Sequence, residues 1–135
     1  MKTKPCLDRD DVAKILAAAE AEAKKNGFAV TIAVVDDGAH LLGMIRLDGA
    51  PPVSAFIGVE KARTAALGCR ESKDYETMVK DSRPGFLSVT VLQGMLEGGA
   101  PIVVDGRVVG AVGVSGVKAP EDASVAKAGI AALSA

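Results

Sequence analysis

Phe28-Ala29-Val30-Thr31-Ile32-Ala33-Val34-Val35 runs into Asp36-Asp37-Gly38-Ala39 and returns as His40-Leu41-Leu42-Gly43-Met44-Ile45-Arg46-Leu47. The first segment is rich in β-branched residues. Val30, Ile32 and Val34 alternate with Thr31 and Ala33, the two-residue period of a strand. Asp-Asp-Gly-Ala is turn chemistry, so the segments read as a hairpin of Phe28–Val35 and His40–Leu47. A second hairpin follows later: Ile102–Val104, the turn Asp105-Gly106, and Arg107–Ser115. Asp-Gly between β-branched runs is a strong hairpin signal. Two hairpins can join in one antiparallel sheet.

Helices fill the rest. Asp8 caps a helix running to Asn26, with Val12, Ile15, Leu16, Ala19 and Ala23 at helical spacing. Asn26-Gly27 stops it. Asp48-Gly49-Ala50-Pro51-Pro52 launches a second helix, Val53–Leu67, ended by Gly68. It is apolar nearly all round and so reads as buried on most sides. Ser72–Val79 reads as a short helix, Ser82–Gly85 as a loop, and Phe86–Leu96 as either helix or strand. Pro120–Ala132 is the last helix, with Glu121 and Asp122 at its dipole end. The sequence predicts one α+β domain, residues 1–135. Its expected form is an antiparallel sheet of two hairpins flanked by helices, in the order α-β-β-α-α-β-β-α.

The 135 residues carry 16 Lys+Arg against 17 Asp+Glu, a formal net charge of −1. Phosphate neutralisation drives nucleic-acid binding, and the basic excess for it is missing. Three Phe, one Tyr and no Trp leave few stacking platforms for bases. No uncharged apolar run approaches about 18 residues, so no membrane span is expected. The N-terminus shows no signal-peptide pattern, and Cys6 and Cys69 form no CxxC pair. A cytoplasmic protein with two free thiols is expected. One histidine and two distant cysteines leave no zinc site, and no metal is expected.

Several motifs carry possible chemistry. His40, the lone histidine, follows the tight turn. It reads either as a proton donor or axial iron ligand, or as a turn residue bonded to neighbouring backbone. Glu60, Lys61, Arg63 and Thr64 interrupt the apolar second helix. Glu60 and Arg63 share one face, as do Lys61 and Thr64. Lys61 and Arg63 suit a carboxylate, and Glu60 with Lys61 suits acid–base work; a solvated ion pair or a subunit contact are the alternatives. Asp36 and Asp37 read as turn formers before a metal pair. Gly110-Ala111-Val112-Gly113-Val114-Ser115-Gly116 lacks the spacing and context of a nucleotide loop, and Ser115 has no nucleophile-elbow context.

Val34–Leu42 with Arg46-Leu47-Asp48-Gly49-Ala50 resembles the VVDxGGHL…RMDGA segment of the GlcG/HbpS-like proteins, whose domain also resembles the PduO C-terminal domain. Lys61-Ala62-Arg63-Thr64-Ala65-Ala66 resembles their KAxTAA helix. Pro101-Ile102, Asp105-Gly106 and Val108–Gly116 resemble their PI…DGxVVGAIGVSG segment. Glu121-Asp122, Val125-Ala126 and Ala128-Gly129 extend the likeness over nearly the whole chain. The chain departs from the family pattern between Glu71 and Gly98, where relatives often carry a Gly-rich stretch.

The resemblance implies an antiparallel sheet with flanking helices, and dimers or larger rings. It implies haem binding or a small aromatic or carboxylate ligand in a catabolic setting. In some relatives it implies a lyase acting on a hydroxylaminobenzoate. By position it reaches His40, Arg46, Asp48, Lys61 and Thr64. Two functions are therefore expected. One is a haem or small-ligand binding protein, with Arg46, Asp48, Arg63 and Thr64 as ligand-binding residues. The other is a cofactor-independent lyase or isomerase using Glu60, Lys61 and His40. Only His40 is a natural axial ligand, so a small carboxylate held by Arg46, Lys61 or Arg63 suits the residue inventory better than haem does. The partners expected are a small-molecule ligand and further copies of the chain, with the second helix or the sheet edges as interface.

Overall fold

The structure is a computed structural model describing residues 1–134. Four strands, β1 (Thr31–Asp36), β2 (Leu41–Arg46), β3 (Gly99–Val104) and β4 (Arg107–Ser115), form one antiparallel sheet in the order β2-β1-β4-β3. The hairpins β1–β2 and β3–β4 join along β1 and β4, from Thr31 opposite Ser115 to Asp36 opposite Gly110. Helices α1 (Arg9–Lys25) and α4 (Ala119–Ala131) cover one face, and α2 (Ser54–Gly68) covers the other. Helix α3 (Ser72–Asp81) packs beside α2. The predicted α+β class and element order both hold. Among the described residues, no helix is long and apolar enough to cross a membrane.

Local signals set the helix ends. Asp8 caps α1 and forms a capping box with Asp11, while Asn26 closes it. Helix α2 ends differently from the expectation. Gly68 is its last residue, and Cys69 takes the left-handed conformation, with φ of 55°. Gly68 is needed for space, because a Cβ there would run into the Tyr75 ring.

The alternation in β1 suggested one apolar face, but both faces are buried. Ile32 and Val34 pack with Ile15, Ala19, Val112, Val114 and Val125 under α1 and α4. On the other face, Val35 and Ala111 meet Ala62, Ala65 and Ala66 of α2. Small residues bring α2 unusually close to the sheet. A Cβ on Gly113 would collide with the Gly58 carbonyl and the Ala62 nitrogen. The buried hydroxyls here are satisfied: Thr31 and Ser54 bond to each other at 2.8 Å, and Ser54 donates to the Pro51 carbonyl at 2.6 Å.

Phe86–Leu96 is neither helix nor strand. A 3-10 turn (Pro84–Ser88) leads into an irregular segment that lies against α2. Its Gly94 sits where a Cβ would strike the backbone of Glu60 and Lys61, and its N–H donates to the Thr64 hydroxyl at 3.0 Å. Strand β3 begins at Gly99, earlier than the apolar run suggested. Pro101 is tolerated because β3 is an edge strand.

Gly113→Ala is expected to lose about 3 kcal/mol, since the new methyl meets backbone that cannot repack. Gly85 has open space around it. Gly85→Ala is expected to stay within about 0.5 kcal/mol of the parent chain. Urea unfolding of both variants checks the contrast.

Candidate functional site

The turn between β1 and β2 is organised by one carboxylate. Asp36 accepts hydrogen bonds from the backbone N–H groups of Gly38 and His40, each at 2.9 Å. The Nδ1 atom of His40 lies 3.1 and 3.2 Å from its two oxygens. Ala39, between them, takes a left-handed conformation with φ of 67°. Burial alone would raise the Asp36 carboxyl. Hydrogen bonds from the His40 backbone, the His40 ring and Gly38 outweigh that and hold it below the usual aspartate value. A carboxylate can only accept, so Nδ1 donates the hydrogen of this contact and Nε2 lies outside it. The His40 side chain is 80% exposed. His40 is a turn residue as expected, but its ring is held by the Asp36 carboxylate and not by neighbouring backbone.

A groove of about 370 Å³ lies between β2 and α2 on the same face, lined by Leu41, Met44, Ala55, Phe56, Val59 and Glu60. It exists because α2 packs on β1, β3 and β4 and leaves β2 largely uncovered. Leu41 follows His40 directly in the chain, so the turn that carries the imidazole adjoins one end of the groove. Arg63 ties α2 to that end. Its Nη1 donates to the Ala39 carbonyl at 3.2 Å, and its Nε lies 3.6 Å from the Glu60 carboxylate.

The other expected site residues lie elsewhere. Arg46 and Asp48 line a separate concavity of about 450 Å³ with Glu20, Lys24 and Phe28, at the far end of β2. A six-residue strand separates that end from His40 by about 20 Å. Thr64 is fully buried, with its hydroxyl committed to Gly94.

Lys61 is buried as well. Its Nζ donates to the Asp122 carboxylate and to the Val114 carbonyl, both at 3.0 Å. Asp122 also accepts from the Val117 N–H at 3.2 Å. Burial pushes the Asp122 carboxyl up, while the Lys61 ammonium pulls the other way. Arg46, Lys61 and Arg63 thus do not converge on one carboxylate. A buried ammonium needs an internal partner, and Lys61 has one.

Sequence reasoning missed Asp36 as the partner of His40, although an Asp and a His four apart across a turn is a readable signal. It also missed the groove walls Leu41, Met44, Phe56 and Val59. Asp122 was read only as a helix-dipole acid, and nothing local marks it as the partner of Lys61.

Two outcomes follow. Lys61→Met alone is expected to cost about 3–5 kcal/mol, because Asp122 is left buried and unpaired; adding Asp122→Leu is expected to recover much of it. Chemical denaturation of both variants checks this. The depressed Asp36 carboxyl contributes stability that is present above its unfolded value of about 3.9 and lost as pH falls through the folded value. The stability difference between the parent chain and Asp36→Asn is therefore expected to shrink with acidification below about pH 4. A plot of unfolding free energy against pH that stays parallel for the two chains would contradict this.

Comparison with known proteins places these features in a family. Residues 7–131 match the family model described as haem degrading protein HbpS-like. Protein GlcG of Escherichia coli strain K12 is 53% identical over 115 residues, covering 85% of each chain. The crystal structure of HbpS aligns with a TM-score of 0.90 at 29% identity, over 98% of this chain and 94% of that one. A PduOC–haem complex aligns with a TM-score of 0.84 at 26% identity, over 95% of each chain. This chain belongs to the HbpS-like family.

Proposed function

We propose that the chain binds a small planar ligand, haem or an aromatic carboxylate, in the groove between β2 and α2, with His40 as its polar anchor. The observation that carries this reading is the Asp36–His40 pair. The carboxylate orients an exposed ring, and the turn that carries it adjoins the Leu41 end of an apolar groove. The donor set suits haem: His40 would supply a ligating nitrogen and Leu41, Met44, Phe56 and Val59 an apolar wall, with Arg63 as the nearby cation. Bound haem would supply an iron centre, and Asp36 would orient the imidazole that would hold it. Affiliation with the family, and the haem complex of a structural neighbour, support the same reading.

A second reading rests on Glu60. Its carboxylate lines the same groove, so a carboxylate and an imidazole can serve one small aromatic substrate. That is the arrangement for a cofactor-independent lyase or isomerase in a catabolic setting. Lys61 is committed to Asp122 and takes no part in it.

Haem titration followed at the Soret band separates the readings. His40→Ala is expected to abolish the shift. Asp36→Asn is expected to keep it but weaken binding about tenfold, as for loss of a ligand's orienting partner. An unchanged shift in His40→Ala would remove the imidazole from the axial role. Turnover of a hydroxylaminobenzoate without added cofactor, lost in Glu60→Gln, would instead establish the lyase.

A further inference from the structure

The hydrogen bonds that shape the β1–β2 turn run within it. The Asp36 carboxylate accepts from the Gly38 and His40 N–H groups. The Ala39 N–H donates to the Asp36 carbonyl at 3.1 Å, and the Asp36 N–H donates to the His40 carbonyl at 2.9 Å. These bonds give the turn its shape, but they do not fix where it stands against α2. Among the described residues, only two side chains from outside the turn hydrogen-bond or ion-pair with residues 36–40. Lys4 pairs with Asp37, but its side chain is 58% exposed, and such a surface pair contributes little. Arg63 donates from Nη1 to the Ala39 carbonyl at 3.2 Å.

The Arg63 contact is the stronger tether. Ala39 is 1% exposed, so water replaces a lost partner poorly. It also holds a left-handed φ of 67°, which an alanine keeps only where its surroundings impose it. The other end of the guanidinium faces the groove. Its Nε lies 3.6 Å from the Glu60 carboxylate, which lines the groove, and has no hydrogen-bond partner. Helix α2 is itself held to the sheet by the Lys61–Asp122 pair and by the close approach of Gly113 to Gly58 and Ala62. A bond to Arg63 is therefore a bond to a fixed reference.

We infer that Arg63 is a positioning residue for a ligand in the groove. By holding the Ala39 carbonyl to α2 it sets where the adjacent His40 stands, and it acts on the ligand through His40 rather than by touching it. That role rests on His40 being the ligand's polar anchor. Arg63 falls on the position that the KAxTAA pattern leaves open, so the family likeness assigns it no such part. A direct pairing of Arg63 with a ligand carboxylate is opposed by Glu60, an acid already beside the guanidinium.

Haem titration of Arg63→Met and Arg63→Lys tests it. Arg63→Met is expected to bind haem about tenfold more weakly, the scale for loss of a ligand's orienting partner. At saturation its Soret maximum is expected to move from the parent's position toward that of His40→Ala. Arg63→Lys is expected to return the maximum to the parent's position, because an ammonium still donates to the Ala39 carbonyl. Without ligand, hydrogen exchange at the Ala39 and His40 amides is expected to quicken in Arg63→Met, with Ile32 and Val114 unchanged. Should Arg63→Met fail to fold by circular dichroism, Arg63→Gln, too short to reach Ala39, carries the test with the same expected outcome. A parent-like Soret maximum in Arg63→Met overturns the positioning role: weakened affinity alone points to direct contact with the ligand, and unchanged affinity to a structural part only. Unchanged exchange at Ala39 and His40 overturns it as well. If Arg63→Met keeps the parent's maximum while His40→Ala loses it, the positioning role falls and the anchor stands; if both keep it, both fall.

Discussion

Lys61 and Asp122 form the contact on which the rest of the arrangement turns. One comes from α2 on one face of the sheet, the other from the first turn of α4 on the opposite face. Their side chains are 5% and 3% exposed. At 3.0 Å and an effective dielectric near 20, the attraction is about 5–6 kcal/mol, and desolvation of two ions offsets much of it. The net stabilisation is therefore small, but the penalty for mispairing is not. Any placement of α2 that moves Lys61 away from Asp122 buries two unpaired charges. The pair thus selects one position of α2 on the sheet, and the close contact of Gly113 with Gly58 and Ala62 selects the same one.

Fixing α2 in this way decides what faces outward. Lys61, Thr64 and Ala65 point into the molecule with Ala62 and Ala66 beside them, so the opposite side of the helix faces outward. Glu60 and Arg63 are carried to the β2 side, with Phe56 and Leu67 exposed beyond them. The groove is a consequence of that rotational setting. Without an internal acid for Lys61, the helix would have to turn its ammonium outward, and the groove would lose its wall.

The sequence showed the frame well and the site unevenly. The hairpins were legible because strand period and turn chemistry agree at Val30–Gly38 and again at Val103–Gly106. The α1 caps were legible because Asp8 and Asn26 act on adjacent backbone. Phe86–Leu96 was not, because its path is set by Gly94 lying on the α2 backbone, a contact between distant segments. The charge cluster of α2 was rightly singled out as needing partners, but which partner each residue takes depends on helix rotation. Lys61 found Asp122, Thr64 found Gly94 and Arg63 found Ala39. Arg46 was grouped with them by residue type, yet β2 carries it to the other end of the sheet.

The turn at Asp36 shows how folding and chemistry share one group without being the same requirement. Two of the hydrogen bonds to the carboxylate come from backbone N–H groups, and these shape the loop whatever side chain residue 40 carries. The third comes from the imidazole, which is mostly in solvent and adds little packing. Removing the ring leaves the turn its backbone bonds; removing the carboxylate loosens turn and ring together. The fold therefore needs Asp36 but does not need His40. The oriented imidazole, mostly in solvent, is thus left without a structural duty at this turn.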